Sequence, residues 1–277
     1  MWGIQPIIMT KLAGRSSQKI MGMALGIFLL GLLVSILRPA TSYSGYLIFF
    51  SLLDGLALAY GLINQIRGLE LLGVSKGIPI STAGQLIGAS LVGALYFKEW
   101  SSWQQYGLGS LALVLIILGV SMTAYEEASG PRTSRELRSQ GLLRLTLSSL
   151  GFVGYTVILR LTNISIWQAL LPQGLGVLLG SYLLAGRQEG ADIFHRTTLK
   201  HIATGLIFAL ANIGLMLSNV VNGLALGFSL TQMNVVIASL GSLIFLDEKK
   251  TRRELVLTCL GLVLVVLGGI LIGTTKK

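Results

Sequence analysis

Charge is scarce in this sequence. Only 12% of its 277 residues are Asp, Glu, Lys or Arg, about half the share of a soluble globular domain. That leaves too few charges to solvate a surface of this size, and lipid is the natural solvent for the 53% of residues that are hydrophobic. Cysteine is almost absent. The single Cys259 lies in an apolar run, which excludes a disulfide framework or a cysteine-rich metal site. There is no paired-carboxylate motif, no metal-ligand spacing, no nucleophile motif and no nucleotide loop. Without a Walker-type loop the chain is not a self-contained ATP-driven pump, and nothing in it points to an enzyme or to a bound cofactor or metal. No cleavable signal peptide is expected, because the apolar first ten residues lead to no small-residue cleavage site and soluble domain.

Long apolar runs are what the sequence does have. Ile20–Leu37, Tyr43–Ile66, Gly77–Phe97, Ser101–Tyr125, Leu145–Leu159 and Leu161–Gly186 each read as one span, against about 20 apolar residues needed to cross a bilayer core. His201–Leu246 has no Asp, Glu, Lys or Arg over 46 residues. As one helix it would be roughly 69 Å long, so it must fold back, near Asn219–Gly223. Leu255–Thr275 completes nine full spans. Met1–Thr10 is apolar but reaches only about 15 Å, and it reads as the second half of a tenth span that begins before this sequence does. The runs do not alternate as barrel strands would. The expected fold is therefore an all-α polytopic membrane protein with ten transmembrane helices, the first truncated.

With ten spans, alternate loops share a side. One side then holds fifteen Lys and Arg, the other five, with Lys76 inside a span. The basic side is cytoplasmic by the positive-inside bias, both termini face outward, and the formal net charge of +10 needs no nucleic acid.

The sequence also repeats itself. Leu113–Gly119 (LVLIILG) matches Leu262–Gly268 (LVLVVLG), and Leu91–Glu99 matches Leu240–Glu248 at the same offset. The expected organisation is a first five-helix half over residues 1–127, a charged cytoplasmic linker over 128–140, and a second five-helix half over 141–277. Five is odd, so the second half is inverted. Inverted repeats place a solute site near the midplane between the halves and permit alternating access.

Polar side chains within spans mark where that site would be. They cluster as Asn64 and Gln65; Pro79, Ser81, Thr82 and Gln85; Asn212 and Asn219; and Ser229, Thr231, Gln232 and Asn234. Amides and hydroxyls both donate and accept, which suits a neutral polyol. Trp2, Tyr60, Tyr155 and Trp167 offer flat faces to a sugar ring. The same residue types also bond helix to helix without any ligand. The substrate-binding candidates are Trp2, Asn64, Gln65, Ser81, Thr82, Gln85, Tyr155, Asn212, Ser229 and Gln232. Asp54, the one carboxylate well inside a span, is the proton-coupling candidate, with salt-bridging to Lys76 as the alternative. Glu99 and Glu248 read as end caps rather than catalytic acids.

Gly73-Val-Ser, Pro79-Ile-Ser-Thr82, Gln85 and Glu99-Trp-Ser-Ser102 resemble the fourth-to-fifth-span region of the bacterial glucose/ribose uptake permeases, within the drug/metabolite transporter superfamily. Asn64-Gln65, Asn212, Phe228-Ser-Leu-Thr-Gln232 and Glu248-Lys-Lys-Thr-Arg-Arg253 match as well. The resemblance covers nearly the whole chain. It implies two inverted five-span halves in the bacterial plasma membrane and proton-linked uptake of glucose, ribose or a similar sugar. An exporter of drugs or metabolites on the same scaffold is the alternative, since a fold does not fix its substrate. Family members carry further apolar residues before Trp2-Gly3, and Asp54 stands where a small or neutral residue is expected.

Overall fold

A computed structural model describes residues 1–39, 42–125, 134–186, 195–223 and 233–275. Among them every regular element is a helix. In order they are α1 (Gln5–Lys11), α2 (Ser16–Leu37), α3 (Gly45–Leu72), α4 (Val74–Leu91), α5 (Trp103–Thr123), α6 (Arg135–Thr162), α7 (Ile166–Ser181), α8 (Arg196–Lys200), α9 (Ile202–Asn222), α10 (Met233–Phe245) and α11 (Arg252–Thr274). Single π-helical turns, Val92–Tyr96 and Tyr182–Gly186, continue α4 and α7. Seven segments are long and apolar enough to cross a membrane: α2, α3, α4 with its π turn, α5, α6, α8 with α9, and α11. Their outer faces carry exposed Leu33, Phe49, Leu111, Leu150, Val263 and Ile270, apolar surface that lipid solvates.

Two sequence boundaries shift. The sixth helix is not a short Leu145–Leu159 run, because it starts at Arg135, where Ser134 Oγ accepts from Leu137 N at 3.2 Å. Residues 135–140 of the charged segment are therefore its first turns. The expected fold-back region, Asn219–Gly223, closes α9, which ends at Gly223 with φ +79°. Gly73 ends α3 at the same φ, in the left-handed region where only glycine is unstrained.

Backbone irregularities fall in pairs 149 or 150 positions apart. Gly73 pairs with Gly223, Lys98 (φ 52°) with Asp247 (φ 53°), and Ala13 (φ 54°) with Asn163 (φ 51°). The reciprocal N-terminal capping box Ser102/Gln105 of α5 has its counterpart in Thr251/Glu254 of α11.

Close helix crossings follow the same spacing. α2 meets α9 at Gly26 and Gly205, where a Cβ on Gly26 would sit 2.8 Å from the Gly205 Cα. α3 meets α7 at Gly55 and Gly176, where a Cβ on Gly55 would sit 2.9 Å from the Gly176 Cα. On α5 and α11, a Cβ on Gly119 would lie 2.5 Å from the Gly261 carbonyl, and one on Gly268 would lie 2.8 Å from the Ala112 carbonyl. Without a hydrophobic drive in lipid, backbone proximity of this kind is what holds such helices together.

Candidate functional site

Helices α1, α3, α4, α6, α9 and α10 converge on a small internal cavity of about 40 Å³. Trp2, Gln65, Thr82, Gln85 and Tyr155 line it, so five of the ten substrate-binding candidates meet there, from three helices and the residues before α1. Two more lie one bond behind. Ser81 Oγ accepts from Gln65 Nε2 and from Gln85 Nε2, both at 3.0 Å. Asn212 Oδ1 accepts from the Tyr155 hydroxyl at 2.9 Å, and both residues are buried. An aromatic wall runs beside these groups. Trp2 packs on Phe208 with centroids 5.8 Å apart, Phe208 on Phe152 at 6.5 Å, and Phe152 edge-on to Tyr155 at 6.3 Å. A pocket of neutral donors and acceptors beside flat rings is suited to an uncharged hydroxylated molecule.

Tyr155 also lines a second, larger cavity of about 830 Å³, within the range that encloses small ligands. Asn163, Trp167 and Asn219 contribute to it, as does the ion pair between Arg160 and Glu99. Arg160 lies over the Phe97 ring at 4.0 Å. Glu99 is therefore neutralised at the cavity wall. Its counterpart Glu248 spans two halves of the chain at the opposite end of the bundle: Oε1 accepts from Val74 N at 2.7 Å and Oε2 from Ser75 N at 3.0 Å, at the start of α4. That is where the negative charge of a side chain complements the free amides of a helix.

The remaining candidates stand elsewhere. Asn64 faces neither cavity: its Nδ2 donates to the Tyr60 carbonyl at 2.9 Å and its Oδ1 accepts from Arg144 Nη1 at 3.1 Å, which binds α3 to α6. Ser229 and Gln232 lie outside the described residues, as does the Phe228–Gln232 motif. Tyr60 is exposed on α3, and Trp167 stacks under Arg38 at 4.6 Å. Asp54 is fully buried on the face of α3 that meets α7, apart from both cavities. Its partner is Gln173, whose Nε2 donates to Oδ2 at 2.5 Å, and not Lys76; Asp54 Oδ1 has no hydrogen-bond partner among the described residues. Lys76 sits in the first turns of α4, close enough to Lys250 to act on its charge.

Sequence reasoning missed Gln5, Phe152 and Phe208 as lining residues, and it did not count Asn234 among the substrate-binding candidates. Gln5 was the one amide in an apolar N-terminal run and could have been singled out on that ground. Phe152 and Phe208 carry no local mark that separates a cavity-facing ring from a lipid-facing one. Among the described residues no group of three or more His, Cys, Asp or Glu is placed to hold a metal.

The fold and the neutral cavity define a polytopic membrane protein of the transporter kind. The family model described as sugar transport protein matches residues 1–275, and the chain belongs to that family. It is 39% identical to a putative sugar uptake protein of Listeria monocytogenes, over 100% of this chain and 96% of that one. It is 34% identical to the glucose uptake protein GlcU of Bacillus subtilis, over 99% and 95%. A probable glucose uptake protein of Priestia megaterium is 36% identical over 100% and 96%. One solved crystal structure, at 14% identity, shares the fold with a TM-score of 0.64 over 98% of this chain and 91% of its own. Seven long apolar helices and bacterial relatives along the full length make this a multi-pass protein of the plasma membrane.

Proposed function

We propose that this protein is a secondary active carrier that imports a neutral monosaccharide, glucose, ribose or a similar sugar, by alternating access. The observation that carries the reading is the small cavity: amides, hydroxyls and aromatic faces from both halves of the chain, with no charged side chain among the described residues of its wall. Such a wall selects against ions and cationic drugs, which would leave a buried charge unpaired. It favours a ligand whose hydroxyls both donate and accept. The names of the relatives point the same way.

The architecture behind the reading is ten spans in two inverted five-helix halves, 1–127 and 141–277, joined by the charged segment. Helix crossings support the inversion. The Gly26–Gly205 contact and the Gly55–Gly176 contact exchange places when each residue is moved 150 positions, and the Gly119–Gly261 contact exchanges with Gly268–Ala112 at 149. Contacts that map onto one another with the partners swapped are what a two-fold axis between halves produces. Such an axis in the membrane plane lets one half rock against the other around a central site.

Coupling to protons is assigned to Asp54. It is a buried carboxyl in the membrane whose one described partner is a neutral amide, and such groups mark proton paths. Uptake of labelled glucose, ribose and rhamnose into proteoliposomes with an imposed pH gradient tests the whole reading. Gradient-driven accumulation of one of them is expected, and equilibration without accumulation would defeat symport. In Asp54→Asn, accumulation is expected to lose its dependence on the gradient; an unchanged dependence removes Asp54 from the coupling.

A further inference from the structure

Two atoms around the small cavity lack partners, and they are complementary. The Trp2 indole N–H is a donor and the Asn234 side-chain carbonyl is an acceptor; both are buried, and neither has a hydrogen-bond partner among the described residues. Both residues line the same cavity of about 40 Å³. The residues just before α1 pack closely on α10: a Cβ on Gly3 would lie 2.8 Å from the Asn234 backbone carbonyl. The neighbouring amides are engaged: Gln65 and Gln85 donate to Ser81, and Gln5 donates toward Met23 Sδ at 3.3 Å.

A buried donor and a buried acceptor each left open cost free energy unless something fills them. The volume sets what that can be. At about 40 Å³ it has room for a hydroxyl-sized group and too little for a sugar ring. A hydroxyl satisfies both atoms at once, as a water molecule would, accepting from an indole N–H while donating to an amide oxygen. Tyr155 borders this cavity and the larger one, which places the two side by side.

We propose that Trp2 and Asn234 form a one-hydroxyl recognition slot that reads a single position of the transported sugar. This rests on the sugar-uptake reading above. A site built to bond a hydroxyl discriminates far more strongly against an analogue that lacks it than an apolar pocket discriminates by size.

The test is a deoxy scan. Proteoliposomes carrying the wild type, Trp2→Phe or Asn234→Leu are given the labelled parent sugar and its mono-deoxy analogues one by one, and uptake efficiency is compared. For the wild type, one deoxy position is expected to lose uptake well beyond the others. Both variants are expected to lose roughly ten- to a hundredfold for the parent sugar, yet to take up the analogue lacking that one hydroxyl as well as the wild type does. That analogue thereby also reports that the variants are folded. Equal losses across every analogue, loss of all uptake in both variants, or no loss for the parent would each overturn the slot while leaving the carrier reading intact. A wild type that takes up no sugar at all would overturn both.

Discussion

Replacing Glu248 by Ala should loosen the entry of α4, the helix that carries Ser81, Thr82 and Gln85. Glu248 reaches from the segment between α10 and α11 to the first two amides of α4, Val74 and Ser75. Both residues are only 2% exposed, so water does not readily replace the carboxylate. Two buried N–H groups left open cost about 1–3 kcal/mol each, about 2–6 kcal/mol together. The lower end is the better guide, because the folded state no longer holds a partly buried charge. At roughly 2–4 °C per kcal/mol for a chain of this size, Glu248→Ala should melt at least about 4 °C below the wild type in detergent. Glu248→Gln keeps one carbonyl acceptor but turns an amide N–H toward the second donor, so its melt should fall between the two. Intrinsic tryptophan fluorescence during a thermal ramp measures all three. A Glu248→Ala melt indistinguishable from the wild type would refute the reasoning, since it would mean the two amides find other partners at no cost.

Lys250 gives a pH dependence. Burial, and then the charge of Lys76, draw its ammonium down to about 8 from an ordinary 10.5, against the opposing pull of Glu248 and Glu254. At neutral pH the folded state holds a cation it disfavours, so stability should rise as pH climbs from about 8 toward 10.5, and Lys250→Met should flatten that rise in melting curves. Its hydrogen bond to Thr258 Oγ1, 2.6 Å long, is lost in the same variant, which shifts the curve without restoring its slope. Gly55→Leu should cost well over the 1–3 kcal/mol of ordinary overpacking, because backbone fills the space beside it; expression and melting temperature report this. Tyr155→Phe leaves the Asn212 oxygen without its donor and should cost about 1–3 kcal/mol of stability, with sugar uptake reduced beyond what the melt accounts for.

The spans were legible because lipid imposes a length and a composition on each helix separately. The fold-back at Gly223 was legible for the same reason: a 46-residue run is too long for one crossing. Glu99 and Glu248 announced the repeat because a charge at a fixed distance before an apolar run stands out. The crossings did not announce themselves. Among 35 glycines, nothing local separates Gly26 and Gly55, which let backbones touch, from Gly107 and Gly214, which have open space around them. Partners far apart in sequence stayed hidden as well. Asn64 looked like a cavity amide until Arg144, 80 residues away, was found on it, and Asp54, for which a salt bridge to Lys76 was the alternative to proton coupling, is held by Gln173. Half-hidden too was the site itself, since Gln65, Thr82 and Gln85 were named from polarity alone while the rings of Phe152 and Phe208 were not.

The two glycine crossings are alike in backbone and unlike in chemistry. Beside Gly55–Gly176 stand Asp54 and Gln173, joined by a hydrogen bond; at the corresponding positions beside Gly26–Gly205 stand Thr204 and Met23, whose side chains offer no such pair. Separating α3 from α7 therefore breaks a buried hydrogen bond at the glycine crossing, a cost with no counterpart at Thr204 and Met23.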